Sequence, residues 1–413
     1  MEKNKYVTTS TGLYINYFLY GMVNIMLASN MSFLTEHFHT DNAGISFLIS
    51  AVGFGRLCTL YISGVLSDKF NRKIFIVIAG IMMSIFLIGI PLSPNFAWAI
   101  TFAVLAGVAN SCLDSGTYPA LMEIFPKSAG AATVLVRGVI SIGAILLPYL
   151  IIFNMNHGIF YGVSFFIPAG IFLLNTIFIM NNHFPKNTYQ KKEKKKKEEK
   201  EDVVDEGQPK FWQEGIALIL IGFTGPALLY IVQIWLPTYG EQVLLFTKTD
   251  ALKLISYYSF GSLLSVGILV VILHRFVKPV TIILVYPIIS VISLTALLLV
   301  QSPILAIICA FMIGFSISGV LQLALTVMSE FFSGRKGEIT GFVYTATSIA
   351  YTVIPFLTGL IQRNANMKSV FIFAIIINLV GIGLAVFVLF RYDKVFGRKK
   401  MKSLKGLRKQ EVL

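Results

Sequence analysis

Charge is what this chain has least of. Only 13% of its 413 residues are Asp, Glu, Lys or Arg, about half the roughly 25% usual in soluble domains. With 56% hydrophobic residues and a mean hydropathy of +0.77, an ordinary soluble protein is excluded. Acidic residues are scarcer than basic ones, 20 against 34, which leaves a formal net charge of +14. Cysteine is nearly absent. Cys58, Cys112 and Cys309 fall in apolar runs without metal-ligand spacing and read as small packing residues. His37 and His39 form too small a set for a metal site. No Gly-x-x-x-x-Gly-Lys-(Ser/Thr) loop occurs, which disfavours ATP-driven work. No catalytic constellation is present, so no enzyme is expected.

What is abundant is apolar sequence in long stretches. A membrane-spanning helix takes about 20 mostly apolar residues, and the chain offers twelve such windows. They cover 12–35, 43–67, 74–93, 96–124, 129–153 and 158–181, then 211–239, 250–273, 279–300, 303–332, 338–362 and 368–391. Lipid provides no partner for free backbone groups, so each reads as a helix; the alternating ten-residue segments of a transmembrane β-barrel do not occur. The first stretch is longer than a signal-peptide core and reads as a retained span. The expected fold is an all-α integral membrane protein of twelve transmembrane helices.

The basic residues orient it. If the N-terminus is cytoplasmic and loops alternate, 28 of the 34 Lys and Arg residues fall on the cytoplasmic side and four outside, a strong positive-inside bias. The surplus charge is therefore an orientation signal, and nucleic acid is not an expected partner. Both termini and the central Lys/Glu-rich segment are expected in the cytoplasm of a plasma-membrane, multi-pass protein. The organisation expected is a six-helix bundle over 1–181, a charged linker over 182–210, a second bundle over 211–392 and a basic tail over 393–413.

The two halves are related. At a constant offset of 207, residues including Gly107, Ser111, Glu123, Phe125, Val136 and Pro148 match Gly314, Ser318, Glu330, Phe332, Val343 and Pro355, in a set of 11 identities over 44 ungapped positions. Six helices separate the copies, so the repeats run parallel. This is a transporter arrangement with the site between the halves.

Between the second and third spans stands Gly64-Val65-Leu66-Ser67-Asp68-Lys69-Phe70-Asn71-Arg72-Lys73. It resembles the loop signature of the major facilitator superfamily, with Asn71 where glycine is usual. Asn also tolerates a left-handed backbone, which would preserve the turn. The resemblance covers the whole chain and implies that Gly64, Asp68 and Arg72 form an inner gate, in which Asp68 meets Arg72 and the start of the eleventh helix.

Three charges no loop can hold are Arg56, Asp114 and Arg137. Intramembrane charges cost about 2.5–3.5 kcal/mol each and are functional candidates by default. At about 1.5 Å per helical residue, all three lie near the midplane of the first half. Asp114 and Arg137 can meet across the hairpin of the fourth and fifth helices, either as a structural ion pair or as a coupling device. In the second reading Asp114 exchanges a proton while an Arg receives substrate, because burial and a nearby guanidinium pull a carboxyl in opposite directions. The stretch Asn110–Ala120 is similar to the fourth helix of the fucose–proton symporter branch, which implies that Asp114 carries the proton.

The family resemblance implies a cavity lined by the first, fourth, seventh and tenth helices. Asn16, Tyr20 and Asn24 fall at fourfold spacing on the first, and Asn110, Asp114 and Tyr118 on the fourth. The expected substrate contacts are Arg56, Asn24, Tyr20, Asn110, Tyr118, Arg137, Tyr230, Gln233, Trp235, Gln322 and Tyr344. The expected function is secondary active transport by alternating access, as proton-coupled uptake of a sugar, sugar acid or organic acid. A proton-antiporting exporter of amphipathic compounds and a transport-inactive sensor are the alternatives. The expected partners are the lipid bilayer, a small-molecule substrate and protons. A monomer without a cofactor, driven by the proton gradient, is expected.

Overall fold

The computed structural model describes residues 6–126, 128–185, 209–273, 277–299, 302–332 and 336–397, without the side chains at 68, 129, 336–340 and 397. The described chain is helical, with no strand. The first half holds α1 (Val7–Ser29), α2 (Met31–His37), α3 (Asn42–Lys69), α4 (Arg72–Leu92), α5 (Phe96–Ile124), α6 (Ala129–Asn156) and α7 (Val163–Asn181). The second holds α8 (Ile216–Gln242), α9 (Lys248–Ile272), α10 (Pro279–Leu299), α11 (Pro303–Ile317), α12 (Val320–Phe331), α13 (Lys336–Asn364) and α14 (Met367–Tyr392). Among the described residues, eleven helices are long and apolar enough to cross a membrane, or twelve when α1 and α2 count as one bent span. Each expected window coincides with one of them. Residues 186–208 of the expected linker and 398–413 of the expected tail lie outside the described residues.

Two spans are broken. α1 and α2 meet at a 59° bend at Asn30, whose side-chain Nδ2 donates to the Met26 carbonyl at 2.9 Å and so competes for an acceptor of the helical ladder. α11 and α12 are parted by Gly319, which sits at φ +88°, a conformation glycine adopts without steric cost. Asn71 departs from the expected left-handed turn. Its φ is −77° and its side chain caps α4 by accepting from the Lys73 amide at 3.0 Å, so it serves the loop as an N-cap.

The repeat seen in the sequence is visible in the geometry. α3 crosses α5 closely, and α9 crosses α11. A Cβ added at Gly55 would strike the Val104 carbonyl and one at Gly107 the Val52 carbonyl; in the second half, Gly261 faces the Phe311 carbonyl and Gly314 that of Tyr258. Glycine at these points lets the helix backbones touch. Phe125 and Phe332 close their helices with nearly identical backbones, φ −122°, ψ 63° and φ −124°, ψ 61°.

The halves meet along α3 against α13 and α6 against α9. At one end this seam is tight. Asp41 receives Nε and Nη2 of Arg363 at 2.7 Å each. Ser46 Oγ donates to the Pro355 carbonyl at 2.5 Å and Ser50 Oγ to the Thr352 carbonyl. Ser256 Oγ donates to the Ile145 carbonyl at 3.0 Å. The Arg363 guanidinium holds the Asp41 carboxyl below its ordinary range. A depressed carboxyl contributes its stabilisation above the ordinary value and loses it only as pH falls through the lowered one, so the clamp stays charged at neutral pH. At the opposite end, which carries the Gly64–Lys73 loop, the same helices part. A Cβ at Gly64 on α3, Gly341 on α13, Gly130 on α6 or Gly267 on α9 meets nothing within 4 Å.

Gly107→Val and Gly314→Val are each expected to lower the thermal midpoint of the detergent-solubilised protein, since overpacking a tight contact costs about 1–3 kcal/mol. Gly170→Ala, on a lipid-facing stretch of α7 with open space around it, is expected to leave the midpoint unchanged or raise it. Equal midpoints for all three would remove the close-crossing account.

Candidate functional site

Asp114 is held from two sides. Tyr17 Oη donates to its Oδ1 at 2.5 Å and Arg56 Nη2 to its Oδ2 at 2.9 Å. α1, α3 and α5 thereby converge on one carboxylate. The Arg56 side chain is 8% exposed and that of Asp114 17%. The Arg56 guanidinium also lies over the Tyr351 ring, 5.2 Å from its centre, and Tyr351 stacks on Tyr230 at 4.1 Å. Next to the pair, Asn110 Nδ2 donates to Tyr20 Oη at 2.7 Å. The Tyr17 ring meets Tyr20 and Tyr118 edge-on at 5.8 and 5.6 Å.

Arg137 stands apart from this cluster. The expected Asp114–Arg137 ion pair is not formed: Arg56 on α3, which packs closely on α5, holds the carboxylate, and Arg137 faces the other half. With its amide oxygen turned towards Arg137, as the hydrogen-bond pattern requires, Gln322 accepts from Nε and Nη2 at 2.7 Å each. No carboxylate among the described residues pairs with Arg137.

Arg137 and Gln322 face a central cavity of about 310 Å³ between the halves. Asn24, Gln233, Ser141, Ser259, Ser262 and Ser318 add neutral polar groups, and Ile140, Leu229, Val266, Leu269 and Ile317 form apolar wall. Gln233 Oε1 and Ser259 Oγ are buried without a hydrogen-bond partner. The wall runs out to Gly130, Ala131 and Leu273 at the end where the halves part. The cavity leans on α6, α8, α9 and the α11–α12 break.

Four expected substrate contacts thus share the cavity: Asn24, Arg137, Gln233 and Gln322. Tyr20, Asn110 and Tyr230 line, with Asn24, a separate void of about 30 Å³, and Arg56 stays with Asp114. Tyr118 and Tyr344 are half-buried within electrostatic reach of Arg137. Trp235 does not reach the cavity. It is 0% exposed and its indole N–H donates to Thr358 Oγ1 at 2.9 Å, which makes it a tie between α8 and α13. Asn16 also turns away, accepting from Asn175 Nδ2 of α7 at 2.7 Å. At the loop, Arg72 is 5% exposed and meets Glu123 at 2.6 Å, while the side chain of Asp68 lies outside the described residues.

Sequence reasoning missed Tyr17, Tyr351 and Ser259. Positions 17, 20 and 24 share a helix face within about 60°, whereas two fourfold steps from 16 drift about 80°; that arithmetic would have found Tyr17. It also missed Glu214, which is 0% exposed and bound by Arg391 Nη2 at 2.5 Å, because Glu214 sits at the edge of its window.

Comparison with known proteins bears on the same architecture. The Major Facilitator Superfamily model matches residues 13–333 and 254–412. The chain belongs to the major facilitator superfamily. It is 48% identical over 391 residues to the MFS-type transporter YfkL of Bacillus subtilis, covering 95% of this chain and 98% of that one. It is 37% identical over 385 residues to the inner membrane transport protein YdiN of Escherichia coli, covering 93% and 90%. Among solved structures, the D-xylose–proton symporter shares the fold with a TM-score of 0.72 at 15% identity, covering 93% and 97%. The nucleoside transporter NupG does so with a TM-score of 0.72 at 12% identity, covering 93% and 99%. The protein is therefore a multi-pass membrane transporter and not an enzyme.

Arg56→Gln is expected to destabilise the protein by about 3–5 kcal/mol, the cost of leaving a buried carboxylate unpaired. Adding Asp114→Asn should recover part of that loss. Arg137→Gln, which strands no acid, should cost less than Arg56→Gln. Thermal midpoints of the four proteins in one detergent check the order.

Proposed function

We propose that this transporter carries out proton-coupled uptake of a small organic anion, with Arg137 and Gln322 receiving its carboxylate and Asp114 carrying the proton. One observation carries the reading: Arg137 faces the cavity with a neutral acceptor and no acid. An unpaired guanidinium in low dielectric favours an anionic ligand. A planar guanidinium suits a carboxylate in bidentate geometry, and the apolar wall suits the carbon body of an organic or sugar acid. The cytoplasmic assignment of the basic loops makes this an inward-open state, with the Gly64–Lys73 loop on the parted side and Gly64, Asp68 and Arg72 as gate elements that engage when the halves rock.

Coupling follows from charge. With Asp114 ionised and the cavity empty, Arg56, Asp114 and Arg137 sum to +1. Protonating Asp114 alone leaves two uncompensated guanidinia, and an anion at Arg137 restores +1. Proton and anion therefore favour each other's binding, and by linkage the effect is reciprocal. Empty and fully loaded states carry the same charge, so one proton accompanies one monoanion. No further cofactor enters. The apolar wall also favours a second reading, a proton-antiporting exporter of amphipathic compounds, in which proton and compound would compete.

In proteoliposomes, uptake of the anion is expected to follow an inward proton gradient and to ignore an imposed potassium diffusion potential. Asp114→Asn should abolish gradient-driven accumulation while counterflow exchange continues, and Arg137→Gln should abolish both. Substrate binding that tightens as pH rises would favour the exporter, and gradient-driven accumulation in Asp114→Asn would end the proton role of that residue.

A further inference from the structure

At the tight end of the seam lies a second cavity of about 320 Å³ that the transport reading does not use. Phe33, Ile151, Asn154, Met155 and Tyr161 come from the first half and Lys248, in the first turn of α9, from the second. Its polar groups point to one kind of ligand. Asn154 is 2% exposed, and its Nδ2 has no hydrogen-bond partner; the Tyr161 hydroxyl is likewise buried and unpartnered. Buried donors left unmade are costly, so they mark a place where an acceptor belongs. Burial pushes the Tyr161 phenol up to about 12, so at neutral pH its hydroxyl keeps a proton to donate. Lys248 Nζ lies 5.8 Å from the centre of the Phe33 ring; among the described residues it forms no salt bridge, and the Glu241 carboxylate lies only within electrostatic reach of it. Phe33 and Tyr161 are stacked at 5.6 Å and 3°, which gives an aromatic wall.

We propose that this cavity is an outer anion site, taking a carboxylate or phosphate group, and that its ligand holds the outer seam closed. Lys248 Nζ, Asn154 Nδ2 and the protonated Tyr161 hydroxyl can each donate, so one oxyanion satisfies all three. The aromatic wall adds contact for an apolar moiety attached to it. Because Lys248 belongs to one half and the other donors to its counterpart, the site is complete only while the halves meet. A ligand that binds one state better shifts the population towards it. The anion could be a soluble carboxylate or a lipid headgroup; both present the same group.

The test uses the full chain in phosphatidylcholine nanodiscs, titrated with benzoate and with inorganic phosphate. A saturable rise in thermal midpoint is expected. Lys248→Gln should weaken it by about tenfold or more, the worth of a charge-assisted hydrogen bond, while Lys248→Arg and Arg137→Gln retain it. A rise in discs that contain phosphatidylglycerol without added benzoate or phosphate, again lost in Lys248→Gln, would identify the anion as a headgroup. A rise lost in Arg137→Gln instead would assign the binding to the central cavity and overturn the proposal, as would no Lys248-dependent rise in either medium. Spin labels on His157→Cys and Gln242→Cys, with Cys58→Ser removing the exposed thiol, report the outer separation. Binding should narrow that distance distribution towards the short one, and an unchanged distribution would overturn the seam-closing role.

Discussion

A guanidinium inside a membrane protein has to be neutralised by something, and this molecule solves the problem twice in different ways. Arg56 is paired with the Asp114 carboxylate at 2.9 Å, with Tyr17 completing the carboxylate's coordination at 2.5 Å. Arg137 is given a neutral acceptor, Gln322, and an open cavity. Removing the charge from one partner of a buried pair leaves the other uncompensated, so a change of protonation at Asp114 has to be balanced by another charge nearby. A cation facing a neutral amide keeps its charge uncompensated, which is what the proposed anion at Arg137 would balance. The difference between the two arginines makes the cavity directional in chemistry: cationic at one wall, neutral polar and apolar along the rest.

The scaffold keeps these two environments apart while linking them. Tyr351 is the bridge, lining the cavity beside Arg137 and lying under the Arg56 guanidinium at 5.2 Å. It belongs to α13, in the second half, and a Cβ at Gly53 of α3 would strike its carbonyl. The tight seam therefore ends beside the ion pair. Rocking the halves about that seam would move Tyr351 relative to Arg56, so the packing around the ion pair and the closure of the seam are joined.

Much of this was legible in the sequence. Hydropathy alone placed every span, since lipid permits no other backbone solution. The offset of 207 anticipated a symmetry that the structure shows in paired glycine contacts, Gly107 with Val52 and Gly314 with Tyr258. The placement of the three charges inside the spans also followed from spacing. Their pairing did not, because depth along a helix says nothing of rotation about it: Arg137 matches Asp114 in depth but faces the other half. Trp235 failed for the same reason, since a polar handle on an aromatic ring serves a neighbouring helix, here Thr358, as readily as a ligand. The breaks at Asn30 and Gly319 depend on side-chain competition and a positive φ, neither of which hydropathy carries.

The two ends of the seam differ in how they are built, and that bears on which of them moves. The closed end relies on serine hydroxyls donated to carbonyls of the opposite half, together with the exposed Asp41–Arg363 clamp. Each such bond contributes about 0.5–1.5 kcal/mol net, and exposed ion pairs contribute little. A closure made of several small, separable bonds can be exchanged for an equivalent set elsewhere without a large free-energy difference. The parted end holds its two shortest ion pairs, Arg391 with Glu214 at 2.5 Å and Arg72 with Glu123 at 2.6 Å, each within one half. Strong pairs inside each half and weak ones between them are what rigid-body motion requires: the halves stay intact while the surface between them changes partners.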